Sequence, residues 1–146
     1  MQKEDDALEY LTSPVSVSTP RGPVSAVLTR WDEAPEDFRE VKLRLEFKET
    51  VLEARSQGGY WQALCELRQQ LEAAGMLLVC NGTSLNVYPS AMSADMGTGE
   101  KAYRMTLGRP ALMADLVVIF DTDPDVVPST VDSQRAFHSQ WLASLE

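Results

Sequence analysis

The sequence contains a single histidine, two cysteines and few basic residues, and each of these shortages excludes a class of function. His138 has no second histidine beside it, and Cys65 lies far from Cys80, so the ligand spacing of a zinc site is missing. The 13 Lys and Arg residues against 22 Asp and Glu give a net charge of −9, which argues against nucleic-acid binding because that function needs a basic face. No apolar run approaches the roughly 20 residues of a membrane span. The acidic start, MQKEDDALEY, also lacks the apolar stretch of a secretory signal. We therefore expect a cytoplasmic protein without a membrane partner, whose two thiols stay reduced and buried.

The composition present is that of one soluble domain. The chain has 146 residues, of which 44% are hydrophobic and 24% charged, so we expect a single domain over residues 1–146. Acidic residues predominate in 1–40 and 110–146, whereas 41–109 is balanced. A charged partner of this chain would therefore be a basic protein. The simpler alternative is that the acids only keep the chain soluble.

Patterns in the first half of the chain predict strands followed by a helix. Residues 12–23 are rich in Ser, Thr and Pro and indicate a loop or edge connection, so residues 1–23 are expected to be loosely ordered. Residues 24–31 and 41–48 indicate strands, the second with strict alternation of apolar and charged residues. Residues 50–55 would extend that strand past a bulge or bend. A helix ending at Gly75 follows, with an apolar stripe of Tyr60, Leu64, Leu67, Leu71 and Ala74.

The second half predicts further strands and a terminal helix. Residues 76–80 and 85–88 read as a hairpin around Asn81-Gly82. Residues 101–107 alternate, with Tyr103, Met105 and Leu107 on one side. The run 116–120 is apolar throughout, which is typical of a central strand. A helix over 130–145, capped by Ser129, closes the chain.

These elements predict an α+β fold. We expect one curved, mostly antiparallel sheet with two main helices packed on one face. The core would bury together six side chains: Leu64, Leu67, Leu71, Val118, Phe120 and Trp141.

No segment matches a catalytic or cofactor-binding motif well. The GTGEK segment resembles a phosphate loop, but Gly97 and Gly99 are too close together and a strand follows instead of a helix. Ser90 and Ser93 lack the surroundings of a nucleophile elbow. His138 lies in the last predicted helix without a partner for general-base chemistry. We therefore expect neither a catalytic residue nor a cofactor.

The segment DTDPD offers the best alternative chemistry. Asp121, Asp123 and Asp125 follow an apolar strand, as the paired aspartates do in haloacid-dehalogenase-type phosphatases, which this segment resembles. Too few residues follow for the rest of that fold. The segment also resembles the start of an EF-hand loop, but Val126 stands where glycine is needed. A metal-dependent phosphotransfer enzyme is therefore a third hypothesis, and a solvated acidic turn is the plain alternative.

Three stretches carry a family resemblance. They are LLVCNGTSLNVYPSAMSADMGTGEKAYRMTLG, LVVIFD and TVDSQRAFHSQWLASL. The pattern of C-N-G, V-Y-P-S-x-M, M-G-x-G-x-x-A-Y and a terminal helix with an aromatic pair resembles small immunity proteins of bacterial polymorphic toxin systems. Those encoded beside Rhs-type toxins are the most similar. The resemblance covers roughly residues 58–145, and the first 57 residues carry none.

The resemblance implies a cytosolic, non-enzymatic antitoxin that binds and blocks a cognate toxin domain. An acidic surface could occupy the basic active-site cleft of such a toxin. The acidic partner-binding candidates are Asp121, Asp123 and Asp125, with a weaker group of Glu33, Glu36 and Asp37. A type III secretion chaperone is the alternative; such chaperones are also small and acidic but form dimers.

The long loop over residues 89–100 supplies the apolar candidates. Tyr88, Met92 and Met96 would form an apolar contact beside the acidic patch, in the centre-and-rim arrangement of an interface. Alternatively, the two methionines turn inward and fill the core.

Overall fold

The computed structural model of the protein describes residues 9–90 and 99–146. In this part of the chain the elements are β1 (Leu11–Thr19), β2 (Gly22–Trp31), β3 (Val41–Phe47), β4 (Thr50–Ser56), α1 (Tyr60–Glu72), β5 (Leu77–Val79), β6 (Val87–Tyr88), β7 (Lys101–Arg104), β8 (Leu116–Val118) and α2 (Val131–Ser144). Strands β1 to β5 form an antiparallel sheet in the order β4-β3-β2-β1-β5, and β6 to β8 form a smaller antiparallel sheet in the order β6-β7-β8. The fold is α+β and mostly antiparallel sheet, as predicted, although its strands are divided between two sheets.

The core lies between the larger sheet and α1. The helix turns Leu64, Leu67 and Leu71 toward the sheet, where they join a cluster that contains Leu43 and Leu45 of β3, and all five side chains are fully buried. Each such leucine contributes about 1.5–3 kcal/mol through burial. The predicted helix and the alternating strand are therefore confirmed, but the helix ends at Glu72, and Ala74, the last residue of the predicted stripe, is exposed. Gly75, which follows the helix with φ +78°, adopts the left-handed conformation expected after a helix end.

The prediction of a loop over residues 12–23 is wrong, because β1 fills most of this range. Val15 and Val17 are buried, and β1 pairs with β2 along its whole length. Pro14 is tolerated because β5 pairs only with Ser16 to Ser18, so Pro14 lies where β1 has a single neighbour. Of the segment expected to be loosely ordered, residues 1–8 lie outside the described residues.

Residues 50–56 do not extend the preceding strand but form a separate one. The chain reverses at Lys48 and Glu49, and Phe47 then pairs with Thr50. Lys48 has φ 52°, the left-handed conformation that a two-residue hairpin turn needs. The bulge or bend that was expected between residues 48 and 50 is therefore a hairpin turn.

The predicted hairpin between residues 76–80 and 85–88 is also wrong. β5 pairs with β1 of the larger sheet, whereas β6 pairs with β7 of the smaller one. Between them, Asn81 to Thr83 make a short 3₁₀ turn whose backbone bonds to the segment after β8: Asn81 N donates to Asp121 O and Gly82 N to Ile119 O. This turn carries the chain from one sheet to the other.

Two further expectations fail in the smaller sheet. β8 lies at its edge and not at its centre, and the most buried residues of the apolar run, Ile119 and Phe120, follow the strand. β7 ends at Arg104, so the alternation predicted through residue 107 stops. Met105 is buried, but Leu107 is 51% exposed.

The terminal helix α2 is present, but only its first turn is buried. Thr130, rather than Ser129, is the N-cap, and its side chain accepts a hydrogen bond from Ser133 N. Val131 and Gln134 are buried, whereas Trp141 is only half-buried, so the prediction that Trp141 joins the main core is wrong. Among residues 9–90 and 99–146, neither helix combines the length and the apolar character that a membrane span needs.

Candidate functional site

The acidic loop, residues 121–125, is held in place by its backbone. Asn81 Oδ1 accepts a hydrogen bond from Asp123 N (3.2 Å), and Asp121 O accepts one from Asn81 N (2.7 Å). After the loop, Val127 N donates to Ser84 Oγ and Leu85 N donates to Val127 O. Hydrogen bonds to the 3₁₀ turn and to the residues just after it therefore fix the backbone of the acidic loop.

The charge of the acidic loop is only partly compensated. Arg104 lies 3.1 Å from an oxygen of Asp123 and 3.6 Å from one of Asp125. Asp121 is exposed and has no ion pair within the described part of the chain. The three carboxylates of the loop are therefore balanced by a single guanidinium, and the loop keeps a net negative charge at the surface.

The same ion pairs bear on the metal hypothesis. Arg104 already supplies a cation between Asp123 and Asp125. Over residues 9–90 and 99–146, no three His, Cys, Asp or Glu side chains are placed so that they could hold a metal ion.

The acidic turn, residues 32–40, differs from the acidic loop because its carboxylates are largely neutralised. Glu36 contacts Lys42 Nζ at 2.6 Å, and this hydrogen bond lowers the pKa of Glu36. Asp37 accepts two side-chain hydrogen bonds from Arg39, which lower its pKa to about 2. Glu33 is exposed and has no ion pair in the described structure. Of the weaker group, Glu33 alone therefore offers an uncompensated charge.

Lys42 explains why Glu36 is held. It points to the face of the larger sheet away from α1, yet its side chain is only 4% exposed. Its ammonium group lies 2.6 Å from Glu36, 3.6 Å from Glu53 and 5.2 Å from the ring centre of Trp31. Glu36 thus fastens the acidic turn to the sheet.

An apolar cleft opens between the smaller sheet and the second half of α2. It encloses about 610 Å³. Tyr88 stacks on His138 at 4.1 Å between ring centres, and His138 lies 6.0 Å from Trp141. The cleft is lined by Tyr88, Pro89, Ser90, Tyr103, Met105, Pro110, Ala111, His138, Trp141 and Leu142.

The apolar candidates of the sequence therefore have different outcomes. Tyr88 lines the apolar cleft, whereas Met92 and Met96 lie outside the described residues. Tyr103 and Arg104 are adjacent on β7, so their side chains point to opposite faces of the smaller sheet. Because Tyr103 lines the cleft and Arg104 holds the acidic loop, the two are separate surfaces.

The sequence reasoning missed a buried polar network that joins α1 and α2 to the 3₁₀ turn. Arg68 is 2% exposed and donates to Gln134 Oε1 (2.7 Å) and Ser129 O (2.9 Å). Gln134 Nε2 donates in turn to Gly82 O and Ser84 O, at 3.0 and 2.8 Å. Burial lowers the pKa of Arg68. The signal in the sequence was weak: Arg68 stands next to Leu67 and one helical turn from Leu64 and Leu71, and Gln134 lies within the predicted terminal helix.

The remaining ionisable candidates lie in apolar surroundings. Burial raises the pKa of Cys65, and raises that of Cys80 to about 11. Both thiols are free. Burial also lowers the pKa of His138, whose imidazole stacks on Tyr88.

No protein-family model matches the sequence, and no curated protein gives a significant match.

Proposed function

We propose that this chain is a cytoplasmic, non-enzymatic immunity protein that binds a basic antibacterial toxin domain and blocks its active site. The observation that carries the proposal is the acidic loop. Its three carboxylates outnumber their internal partner, and its backbone is fixed by bonds from Asn81 and Ser84. A loop that is already ordered loses little entropy when it binds, and fixed negative charge complements a basic cleft. The resemblance of residues 58–145 to Rhs-associated immunity proteins points the same way.

The proposal places the acidic turn in a lesser role. Lys42 and Arg39 already neutralise Glu36 and Asp37, so these residues offer little attraction to a partner. Glu33 remains as a secondary contact.

The direct test is neutralisation in cells. The chain is co-expressed with the C-terminal domain encoded by the adjacent upstream gene. We expect that domain to arrest growth alone and the pair to grow. Arrest that persists while the chain is expressed in excess would refute the proposal.

The role of the acidic loop is tested by a triple substitution, Asp121→Asn, Asp123→Asn and Asp125→Asn. Association with the same toxin domain should slow by about 3–10-fold at low salt, and its salt dependence should weaken, because steering by exposed charge is screened. Stopped-flow fluorescence measures both quantities.

A matched control separates the position of the charges from their number. Glu49, Glu66 and Glu146 are exposed and lie on other elements. Changing all three to Gln alters the net charge equally and should leave the association rate close to that of the wild type. Equal slowing in both triple variants would show that only overall charge matters.

A further inference from the structure

Arg104 of β7 is the only base that forms an ion pair with the acidic loop in the described structure. Its Nη2 donates to Asp123 Oδ2 at 3.1 Å and lies 3.6 Å from Asp125 Oδ1. Over residues 9–90 and 99–146, its guanidinium makes no hydrogen bond or ion pair outside this loop. Arg104 therefore lies where a basic group of a partner would have to bind.

The acidic loop does not need Arg104 to keep its shape. Its main chain is bonded to Asn81 and Ser84. The side chains of the ion pair are partly open to water, with Arg104 28% and Asp123 43% exposed. Such an ion pair adds little to stability, because water solvates the two charges almost as well. The main effect of Arg104 is thus electrostatic, since it cancels part of the negative charge that the loop presents.

The position of Arg104 shows which chemical group the carboxylates accept. A guanidinium matches carboxylate oxygens in charge and geometry. Arg104 reaches both Asp123 and Asp125 through the same terminal nitrogen, so the contact leaves other oxygens of these carboxylates open. A partner cation meets no internal competitor at Asp121, whereas at the other two aspartates it meets the positive charge of Arg104.

We propose that Arg104 is an internal competitor of the basic partner, which lowers the affinity of the acidic loop for arginine and lysine side chains. The proposal rests on the proposed function and identifies the residue that limits the strength of its central contact. A repulsive element of this kind serves selectivity. A protein with one stray basic side chain gains little at the loop, whereas a domain with several can displace Arg104 from both aspartates.

Removing the charge of Arg104 should therefore strengthen binding. A unit charge about 6 Å from a bound cation changes its affinity by about threefold in water, and by more in the lower dielectric of an interface. We expect Arg104→Gln to bind about 3–10-fold more tightly at low salt, with a smaller gain as salt screens the charge. If Arg104 only supported the loop, the same variant would bind more weakly, so the two roles predict opposite signs.

Two binding assays measure this effect. Fluorescence anisotropy with a labelled hexa-arginine peptide reports on the acidic loop without any toxin. Calorimetry with the toxin domain of the adjacent upstream gene reports on the cognate contact. Arg104→Lys keeps the charge and should bind like the wild type in both assays. Melting curves check that all variants are folded.

The matched control is Arg21→Gln, which changes the net charge by the same amount. Arg21 is exposed in the turn between β1 and β2. In the pairing of β1 with β5, this turn lies toward Leu77, whereas the chain leaves Val79 at the other end toward Asn81 and the acidic loop. Arg21→Gln should therefore bind both probes much as the wild type does.

A combined variant locates the gain. Arg104→Gln is added to the triple substitution Asp121→Asn, Asp123→Asn and Asp125→Asn. Without the carboxylates there is nothing for which Arg104 competes, so the change at residue 104 should give no further gain.

The other outcomes overturn the inference. Unchanged or weaker peptide binding by Arg104→Gln would show that Arg104 does not compete. An equal gain in Arg21→Gln would mean that only net charge matters, and a gain that persists in the combined variant would place the peptide elsewhere. If Arg104→Gln gains with the peptide but not with the toxin domain, the toxin binds another surface and the inference fails for it. If the toxin domain does not bind the wild type at all, the proposed function fails, whereas the peptide series still decides the role of Arg104.

Discussion

Replacing Gln134 with Leu should destabilise the fold far more than its position on a partly exposed helix suggests. The change removes the partner of a buried guanidinium at 2.7 Å and leaves the carbonyls of Gly82 and Ser84 without their amide donor. A hydrogen bond to a charged group is worth about 1.5–3 kcal/mol and each neutral one about 0.5–1.5. We therefore expect a loss of about 3–5 kcal/mol, or about 10–16 °C in melting temperature for a domain of this size.

Differential scanning calorimetry measures the effect, and Gln140→Leu serves as the control. Gln140 is exposed on the same helix, so its replacement should change stability by less than about 0.5 kcal/mol. The double variant Arg68→Met, Gln134→Leu should lose less than the sum of the single variants, because both remove the same bond. Equal melting temperatures for the two single Gln variants would refute the network argument.

Two further predictions concern groups whose pKa values are shifted by burial. Burial lowers the pKa of His138, so below about pH 6.5 the unfolded chain binds more protons than the folded chain. The free energy of unfolding should therefore be highest above that pH and should fall as the pH drops through it. His138→Phe should lose this component, and melting temperatures of both proteins between about pH 7.5 and 5 measure it; an unchanged pH slope would contradict the assignment. Cys65 and Cys80 should resist a thiol reagent at about pH 8 in the native protein and react in denaturant, because burial keeps them protonated; rapid labelling of the native protein would show otherwise.

The elements that the sequence predicted correctly are those whose signal is local. The stripe of α1 and the alternation of β3 depend on residues a few positions apart, and both describe one buried face. The failures are non-local. β5 pairs with β1, about 60 residues earlier in the chain, and no pattern near Leu77–Val79 reveals that partner. β1 was obscured because its two buried valines stand among Ser, Thr and Pro residues.

The candidate site divides in the same way. The acidic loop was found because three aspartates stand close together in the sequence, but its fixing by Asn81 depends on a contact across 42 positions. The compensation of Glu36 by Lys42 could not be predicted, because the alternation of β3 places Lys42 on the solvent side. Trp141 was assigned to the core as part of the predicted terminal helix, yet it lines the cleft together with His138 and Leu142.

The anchoring of the acidic loop has a consequence for heritable variation. The loop is held through its main chain and through Asn81 and Ser84, while its outward side chains at Asp121 and Asp125 provide none of these bonds. On the proposed function, substitutions at those two positions would therefore change which partner the acidic loop binds at little cost to folding. A lineage whose partner changes could follow it at these positions, whereas a change at Asn81 would alter the shape of the whole loop.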